Sequence, residues 1–157
     1  MLLRQPCWIR LVKQKILFVC IHNSARSQMA EAFVDRFCSD AFEAHSAGIE
    51  PGKLNPVVVQ AMQEVGIDIS GNRTKSCDDM LRSGVKFDYV VTVCDEASAE
   101  RCPVFPGGGQ RLHWGFHDPS SFQGEAAAKL AFTRGVRDQI KAKIEAWCAE
   151  VCAPAAA

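Results

Sequence analysis

The sequence lacks net charge, a long hydrophobic run and a secretion signal. Eighteen basic residues balance eighteen acidic ones, so the whole chain has no field that would attract nucleic acid or an anionic membrane. No run approaches the ~20 apolar residues of a membrane span. The first residues also lack the hydrophobic segment and small-residue cleavage site of a secretory signal. These absences predict a cytoplasmic protein with no nucleic-acid or membrane partner, which captures any anionic substrate at a local site.

Cysteine is too sparse for a scaffold built on disulfides. Eight cysteines occur among 157 residues, below the fraction typical of small disulfide-rich domains. A cytoplasmic chain is expected to keep its cysteines reduced, except where they take part in redox chemistry. We interpret five of them as small core or surface residues: Cys7, Cys38, Cys77, Cys148 and Cys152.

Four short segments rich in strand formers alternate with helical patterns. Strands are predicted at 16–20, 42–46, 87–93 and 111–114, and helices after the first strand, from 56 to about 65 and from about 124 to 151. This alternation predicts parallel βαβ units. We therefore expect an α/β fold, a single domain at residues 15–152 with a four-stranded parallel, Rossmann-like sheet flanked by helices. Residues 1–14 are interpreted as an extension and 153–157 as a tail.

The segment from Cys20 to Ser27 reads Cys-x5-Arg-Ser between the first strand and a helix. A loop in this position aims backbone N–H groups inward, and the helix start adds partial positive charge. This predicts a site for a tetrahedral oxyanion formed by Ile21, His22, Asn23, Ser24, Ala25 and Arg26. Arg26 would hold two oxygens with paired hydrogen bonds. The same field favours the Cys20 thiolate, to which Ser27 would donate a hydrogen bond.

The alternative for these residues is a buried cysteine at a strand end, followed by a solvent-facing arginine. The strand before and the helix after the loop favour an activated nucleophile instead. The side chain of Asn23 is expected to hold the loop's shape. For His22, an exposed position and a contact with the ligand both stay open.

Asp118 and two further cysteines are candidates for the same site. An Asp-Pro pair such as Asp118-Pro119 is a common turn signal, but an aspartate beside an oxyanion can also protonate an oxygen as it leaves. Cys94 ends the third strand and Cys102 follows eight residues later. With His113 and His117 these cysteines would offer zinc ligands, yet the seven residues between them exceed the usual short knuckle. No metal is therefore predicted there.

Several segments carry a resemblance to a known family. CIHNSARSQMAEA at 20–32 resembles the signature loop of the low-molecular-weight protein tyrosine phosphatase superfamily, and within it the arsenate reductases. Similar segments follow in the same order over about residues 15–150: HSAGIE, NPVVVQAMQEVGIDIS, VVTVCDE and HWGFHDP. The resemblance implies a low-molecular-weight phosphatase-like fold and the reduction of arsenate to arsenite in arsenic detoxification.

The resemblance also implies roles for individual residues. Cys94 and Cys102 match the resolving cysteines of the thioredoxin-coupled reductases, so a Cys20–Cys94 disulfide would pass to a Cys94–Cys102 disulfide that thioredoxin reduces. Asp118 matches the general acid. The phosphatases usually carry Tyr soon after this Asp-Pro, whereas this chain continues Ser-Ser-Phe. That departure counts against a protein phosphotyrosine substrate.

A Cys94–Cys102 disulfide makes a geometric demand on the segment between the two cysteines. If residues 95–101 were helical, the cysteines would lie ~12 Å apart along the axis, whereas a disulfide needs Cα atoms within ~7 Å. Residues 95–109 are therefore predicted to form a flap that loops out or unwinds on oxidation.

Some relatives bind potassium near the loop through an asparagine, a glutamate, a serine and an aspartate. Asn23, Glu31 and Ser46 match the first three, while Lys75 stands where the aspartate is expected. One hypothesis is that the Lys75 ammonium substitutes for the cation, and a solvated lysine is the alternative. No other cofactor is predicted.

Two further functions stay open from the sequence. A low-molecular-weight phosphatase would hydrolyse phosphate monoesters through a Cys20 phospho-intermediate, with Cys94 and Cys102 incidental. A non-catalytic thiol sensor or arsenic-binding module would use the same thiols without turnover.

Overall fold

The computed structural model describes residues 12–107 and 109–151. Its elements, in chain order, are β1 (Gln14–Cys20), α1 (Arg26–Phe37), β2 (Phe42–Gly48), α2 (Pro56–Gln63), α3 (Cys77–Arg82), β3 (Tyr89–Thr92), α4 (Glu96–Ala99), β4 (Gln110–His113) and α5 (Ala126–Val151), with a short 3₁₀ helix at Pro119–Ser121. The first eleven residues of the predicted extension and the predicted tail at 153–157 lie outside the described residues.

The four strands form one parallel sheet in the order β2-β1-β3-β4. This confirms the predicted α/β fold with a four-stranded parallel sheet flanked by helices. The chain leaves β1 towards β2 at one edge and then returns to the other side of β1 as β3, and such a reversal opens a crevice beyond the carboxyl ends of the strands. The register pairs Val19 with Thr92. Cys20 and Cys94, just beyond that pair, therefore lie at the crevice.

Both faces of β1 are covered, as its uniformly apolar sequence predicts. Ile16 and Phe18 pack in one apolar layer, which also contains buried side chains of α1, α2 and α5. Leu17 and Val19, which point the other way, pack in a second layer with Cys102. We call these the first and second apolar layers.

The longest helix, α5, anchors the first layer. Its buried side chains Val136, Ile140, Ile144 and Trp147 follow one stripe of the helix, and α5 packs against α1 and α2. Within residues 12–107 and 109–151, no helix is both long enough and apolar enough to cross a membrane.

The start of α2 could be predicted from the sequence, whereas the short helix α3 could not. Asn55 caps α2, accepting a hydrogen bond from the Val57 N–H at 2.9 Å, and Pro56 opens the helix, as the sequence predicts. The six-residue α3 was not predicted, because it is too short to show an apolar period. Its cap is Ser76, which accepts from the Asp78 N–H at 3.0 Å.

The structure corrects the interpretation of two cysteines. Cys38, directly after α1, and Cys148, in α5, form a disulfide with a Cα–Cα distance of 6.0 Å. Both are core residues, as predicted, but the expectation that the chain keeps such cysteines reduced is wrong for this pair. The bond joins residues 110 positions apart, and no local pattern predicts that the end of α1 faces the last turns of α5. Cys77 is buried and free, while Cys7 and Cys152 lie outside the described residues.

Candidate active site at the ends of β1 and β3

The loop that follows Cys20 is fastened to the segment 49–55 by its carbonyl groups. Four loop carbonyls accept backbone hydrogen bonds of 2.7 to 3.1 Å in the pairs Cys20–Ile49, Ile21–Glu50, His22–Gly52 and Ser24–Asn55. Because the C=O and N–H groups of one trans peptide point in opposite directions, carbonyls turned outward leave the following N–H groups turned inward. Among the described residues, the N–H groups of His22, Ser24 and Ala25 donate to no protein acceptor. The loop is therefore a concave surface of N–H donors, suited to an anion.

The end of β2 approaches this loop too closely for a side chain. A Cβ atom at Gly48 would lie 2.8 Å from the backbone N of Asn23 and the carbonyl O of Ile21. Asn23 has φ 54°, in the left-handed region that asparagine tolerates better than most residues. Its Oδ1 accepts from the Lys75 N–H at 2.9 Å and from Gln28 Nε2 at 3.1 Å. Asn23 therefore fixes the shape of the loop, as expected.

The Cys20 sulfur lies among hydrogen-bond donors. The Asn23 N–H donates to Cys20 Sγ at 3.1 Å, and Ser27 Oγ lies 2.8 Å from the same sulfur. Asn23 Nδ2 donates to Ser27 Oγ at 2.7 Å, so the serine hydrogen is left to point at the sulfur. Two donors directed at one sulfur fix its orientation. They hold a candidate nucleophile beside the N–H groups that would bind an oxyanion.

Arg26 is buried at the start of α1 and only partly satisfied. Its Nη1 donates to the Phe116 carbonyl at 3.1 Å, and its Nη2 lies 3.6 Å from Asp118 Oδ2. Its Nε is buried without a protein partner. An unpaired buried donor of a charged group is costly, and an oxyanion held in the loop would supply the missing acceptor. Arg26 is thus oriented by the 116–118 segment and keeps a donor for a ligand.

The two carboxylate oxygens of Asp118 have different contacts, one with the local turn and one with Arg26. Its Oδ1 accepts from the Ser120 N–H at 2.9 Å and so caps the 3₁₀ helix, while Oδ2 faces Arg26. Asn55 Nδ2 donates to Ser120 Oγ at 2.9 Å, which ties this turn to the start of α2. The turn interpretation and the site interpretation of Asp-Pro therefore both apply. Asp118 is positioned to exchange a proton with an oxygen bound at Arg26.

Cys94 has surroundings opposite to those of Cys20. It is fully buried in the first apolar layer, which also includes Cys20. Burial raises the pKa of the Cys94 thiol to about 11, against the opposing influence of the Arg26 guanidinium. At neutral pH this side chain is a neutral thiol in the same apolar layer as Cys20.

Cys102 lies on the other side of the sheet. It belongs to the second apolar layer, together with Cys77, and burial raises the pKa of its thiol while Arg111 opposes the shift. The structure has no bond between Cys94 and Cys102, and Cys20, Cys77, Cys94 and Cys102 are all free thiols. Because the two layers cover opposite faces of the sheet, joining Cys94 to Cys102 requires the chain between them to move.

The segment between those cysteines is held by a few polar contacts. Only residues 96–99 are helical, capped by Asp95, which accepts from the Ser98 N–H at 2.8 Å. Arg101 pairs with Glu50, a residue of the segment 49–55 that holds the loop, and both side chains are half-exposed. Arg111 Nη2 donates to the Ala99 carbonyl at 3.0 Å. Solvent can replace each of these contacts, which a mobile segment requires.

The residues that match the potassium site of some relatives are already satisfied. Ser46 Oγ donates to Glu31 Oε2, and Lys75 Nζ lies 3.6 Å from the same carboxylate oxygen. Asn23 Oδ1 already accepts two hydrogen bonds. These oxygens therefore do not fit a metal cation, because a lysine charge and N–H donors already occupy their lone pairs.

Metal ligands do not gather elsewhere in the described part of the chain. Its histidine, cysteine and acidic side chains form no group of three or more that could hold an ion. His113, a candidate in the zinc alternative, instead shares a 2.7 Å hydrogen bond between its Nδ1 and Thr92 Oγ1.

Three features of the site escaped sequence reasoning. Gln28 Nε2 donates to Asn23 Oδ1 and to the Arg73 carbonyl, the latter at 3.0 Å. Gly48 permits the close approach of β2 to the loop. The Phe116 carbonyl orients Arg26. A glycine that ends a predicted strand beside a tight loop was the one available signal. His22 is exposed, and its Nδ1 lies 2.8 Å from the Glu50 carbonyl.

Comparison with known proteins agrees with this geometry. Residues 15–156 match the family described as low molecular weight phosphotyrosine protein phosphatase. The arsenate reductase of Halalkalibacterium halodurans is 44% identical over 133 residues, which cover 85% of this chain and 94% of that protein. The arsenate reductase of Bacillus subtilis is 47% identical over 126 residues, covering 80% and 88% of the two chains.

Solved structures give the same result. An arsenate reductase in its oxidized state superimposes with a TM-score of 0.73 at 29% identity, covering 88% of this chain and 98% of that one. A thioredoxin-dependent arsenate reductase of Corynebacterium glutamicum gives a TM-score of 0.65 at 26% identity, covering 90% of this chain and 62% of the other. The chain therefore belongs to the low molecular weight phosphotyrosine protein phosphatase family and groups there with the arsenate reductases.

Proposed function

We propose that the protein reduces arsenate to arsenite with Cys20 as nucleophile, and that Cys94 and Cys102 carry the oxidising equivalents to thioredoxin. The observation that carries this proposal is the pairing of unlike thiols at neighbouring strand ends. The Cys20 sulfur lies 2.8 Å from the Ser27 hydroxyl in the first turn of α1 and 3.1 Å from the Asn23 N–H of the loop at 20–26, the anion loop. Cys94 is an apolar, buried thiol in the same layer.

In the first step, arsenate binds to the inward N–H groups of the loop while Arg26 holds its oxygens. The Cys20 thiolate attacks arsenic and a sulfur–arsenic bond forms. Asp118 donates a proton to the departing oxygen, which leaves as water. Arsenic is still pentavalent in this adduct.

In the second step, Cys94 passes its proton to an oxygen of the arsenic adduct and attacks Cys20 Sγ. The sulfur–arsenic bond breaks, its electron pair stays with arsenic, and trivalent arsenite leaves. Cys102 then attacks Cys94 Sγ and releases Cys20 as thiolate, and the proton that Cys102 loses restores the protonated Asp118 through solvent. A dithiol reductant reduces the Cys94–Cys102 disulfide, so each turnover consumes one arsenate and two thiols and yields arsenite, one disulfide and water. The predicted cytoplasmic location would supply thioredoxin as that reductant.

Phosphate fits the same loop, so anion binding alone does not separate a reductase from a phosphatase. A phosphorylated cysteine is resolved by water, whereas a thioarsenate can be resolved at sulfur by a second thiol. The position of Cys94 favours the second route. The similarity to the two bacterial arsenate reductases and to the thioredoxin-dependent arsenate reductase supports the same choice.

The flap predicted at 95–109 belongs to this proposal. Cys102 lies in the second layer and Cys94 in the first, so the exported disulfide needs a rearrangement of the chain between them. Hydrogen exchange of peptides from 95–109 should increase after stoichiometric oxidation by arsenate. Unchanged exchange would contradict the flap without affecting the first disulfide.

The decisive experiment follows NADPH oxidation with thioredoxin, its reductase and arsenate. The wild type should consume NADPH only when arsenate is present. Cys102→Ser should release one arsenite per chain and then stop, and Cys94→Ser should release none. Cys77→Ser is the matched control, because Cys77 is another buried free thiol, and it should turn over normally. Efficient hydrolysis of an aryl phosphate that is indifferent to Cys102→Ser would establish the phosphatase instead, and neither activity would indicate a binding module.

We further propose that Lys75 replaces the potassium ion of some relatives. The 3.6 Å approach of Lys75 Nζ to Glu31 supports this, because the ammonium supplies the positive charge that the carboxylate would otherwise share with a cation. The melting temperature should be the same in potassium and sodium chloride for the wild type and should become potassium-sensitive in Lys75→Met. A marked potassium shift in the wild type would overturn this proposal.

A further inference from the structure

The Cys38–Cys148 disulfide lies at the far end of α1 from the reaction site. Arg26 begins α1 and Cys38 follows it, so the two are separated by about 18 Å along the helix axis. The bond joins α1 to α5, and these two helices pack along each other under the sheet. None of the thiols assigned to the reduction of arsenate takes part in it.

Solvent reaches this bond through a surface cavity of about 570 Å³. Both cysteines line it, together with Phe37, Asp40 and Glu145. The two cysteines are nevertheless only 7% and 6% exposed, so a small reagent that enters the cavity is the kind of reactant best suited to reach the sulfurs. Cys20, Cys94 and Cys102 do not line this cavity.

We propose that Cys38 and Cys148 form a second, reversible dithiol–disulfide site, which exchanges with low-molecular-weight thiols and disulfides that enter this cavity. In oxidation, the thiolate of one cysteine attacks a small disulfide, forms a mixed disulfide and releases one small thiol. The second cysteine then attacks the protein sulfur of the mixed disulfide, which releases the other small thiol. Two protein thiols and one small disulfide thus become one protein disulfide and two small thiols.

The charge of the cavity sets which reagents react fastest. Asp40 and Glu145 both line the cavity. Lys141 Nζ lies 3.7 Å from Glu145 Oε1 and partly neutralises that carboxylate. An anionic disulfide is therefore repelled and a cationic one attracted. Cystamine should oxidise the pair several-fold faster than glutathione disulfide, and added salt should narrow the difference.

The site acts on the scaffold and leaves the chemistry of the anion loop unchanged. A disulfide that closes a loop of 110 residues restricts the unfolded chain far more than the folded one. The oxidised protein should therefore melt several degrees above the reduced protein. Arsenate turnover should be equal in the wild type and in Cys148→Ser, because neither cysteine touches the anion loop.

The test begins with the full chain, fully reduced by a phosphine that is then removed. Cystamine or glutathione disulfide is added, samples are quenched with iodoacetamide over time, and peptides are mapped without reduction. The expected result is a Cys38–Cys148 cross-link that forms faster with cystamine, with a smaller preference in Asp40→Asn. Alkylated or singly modified cysteines at both positions would overturn the proposal, as would a link from Cys38 to Cys152. Equal rates for the two disulfides would overturn its charge selectivity.

A thermal measurement checks the same proposal independently of mapping. Oxidised wild type should melt above reduced wild type, Cys148→Ser should lose that difference, and Cys77→Ser should keep it. A difference that persists in Cys148→Ser would assign the effect to other thiols. Because the melting temperatures are measured without arsenate, a negative result would overturn the Cys38–Cys148 site and not the proposed reduction of arsenate. A failure to reduce arsenate would likewise leave the Cys38–Cys148 proposal unaffected.

Discussion

Cys20 and Cys94 end neighbouring strands of one sheet, yet their surroundings differ in kind. Cys20 Sγ accepts a hydrogen bond from a backbone N–H of the anion loop and faces the Ser27 hydroxyl of α1, and the loop carbonyls are bonded to residues 49–55. Cys94 has apolar neighbours, and burial raises its pKa to about 11. The Cys20 sulfur is surrounded by hydrogen-bond donors, whereas the Cys94 sulfur is a buried, neutral thiol.

The difference shows how a reaction sequence can be ordered by environment. A thiolate at Cys94 before arsenate arrives would compete with Cys20 and invite unproductive oxidation. In the proposed mechanism, a Cys94 thiol kept neutral by burial would attack Cys20 only after the arsenic adduct has formed. Substitutions on the Cys20 side should therefore leave the Cys94 side unchanged.

Removal of the Asp118 carboxyl group should have the largest effect on rate. The effect should be limited to the reaction at Cys20. Asp118→Asn should slow formation of the cysteine–arsenate adduct by about 10²–10⁴-fold, the usual contribution of a general acid. Rapid quench of a single turnover measures this rate. Asp79→Asn, an exposed aspartate in α3, is the control. An unchanged rate in Asp118→Asn would remove the acid role from this residue.

The hydroxyl of Ser27 should matter less, and again only to Cys20. Ser27→Ala removes a hydrogen bond to a charged sulfur, a contribution of about 1.5–3 kcal/mol, so alkylation of Cys20 by iodoacetamide should slow by roughly 10- to 100-fold at neutral pH. Ser83→Ala, at an exposed residue whose hydroxyl donates to the Met80 carbonyl and accepts from the Val85 N–H, should have no effect. Equal slowing at Cys94 would show that the two environments are not separate.

A methyl group at Gly48 should disturb the loop by crowding it from β2. The added carbon would meet backbone atoms of residues 21–23 at 2.8 Å, and overpacking of this kind costs about 1–3 kcal/mol. Gly48→Ala should lower both the free energy of unfolding and the affinity for inorganic phosphate. Gly71→Ala is the matched control because its added carbon meets nothing within 4 Å. Unaltered phosphate binding in Gly48→Ala would mean that the loop tolerates the displacement.

The apolar thiols should make stability depend on alkaline pH. Burial raises the pKa of Cys77 from 9.0 to about 12, so between those values the unfolded chain releases a proton that the folded chain keeps. The free energy of unfolding is therefore unaffected by this thiol below about pH 9 and falls above it, by at most about 1.4 kcal/mol per pH unit. Urea titrations at pH 8 and pH 10 measure the fall, which should be smaller in Cys77→Ala. The same slope in both proteins would contradict the burial of this thiol as the cause.

Much of this arrangement follows from local sequence. The uniformly apolar 16–20 segment identifies a strand covered on both faces, and Cys-x5-Arg-Ser between strand and helix identifies the anion loop. The cap and proline at Asn55-Pro56 fix the start of α2. Each of these depends on neighbours in the chain, which is why sequence patterns suffice.

Features that depend on distant segments could not be predicted in this way. The clamp between the loop carbonyls and residues 49–55, the ion pair of Arg101 with Glu50 and the Cys38–Cys148 bond each join parts of the chain whose proximity is set only by the folded sheet. The short α3 is a different case, because six residues carry too little period to be distinguished from a turn.

The position of the Cys38–Cys148 bond affects how the chain would respond to a protease. The bond encloses the residues from 38 to 148, and these include the exposed stretch around Val104, the residue with 82% of its surface accessible. A single cut there would leave two fragments that stay covalently joined until the bond is reduced. The nicked protein would therefore migrate as one species without reductant and as two with it, and a sheet whose strands come from both fragments would remain assembled.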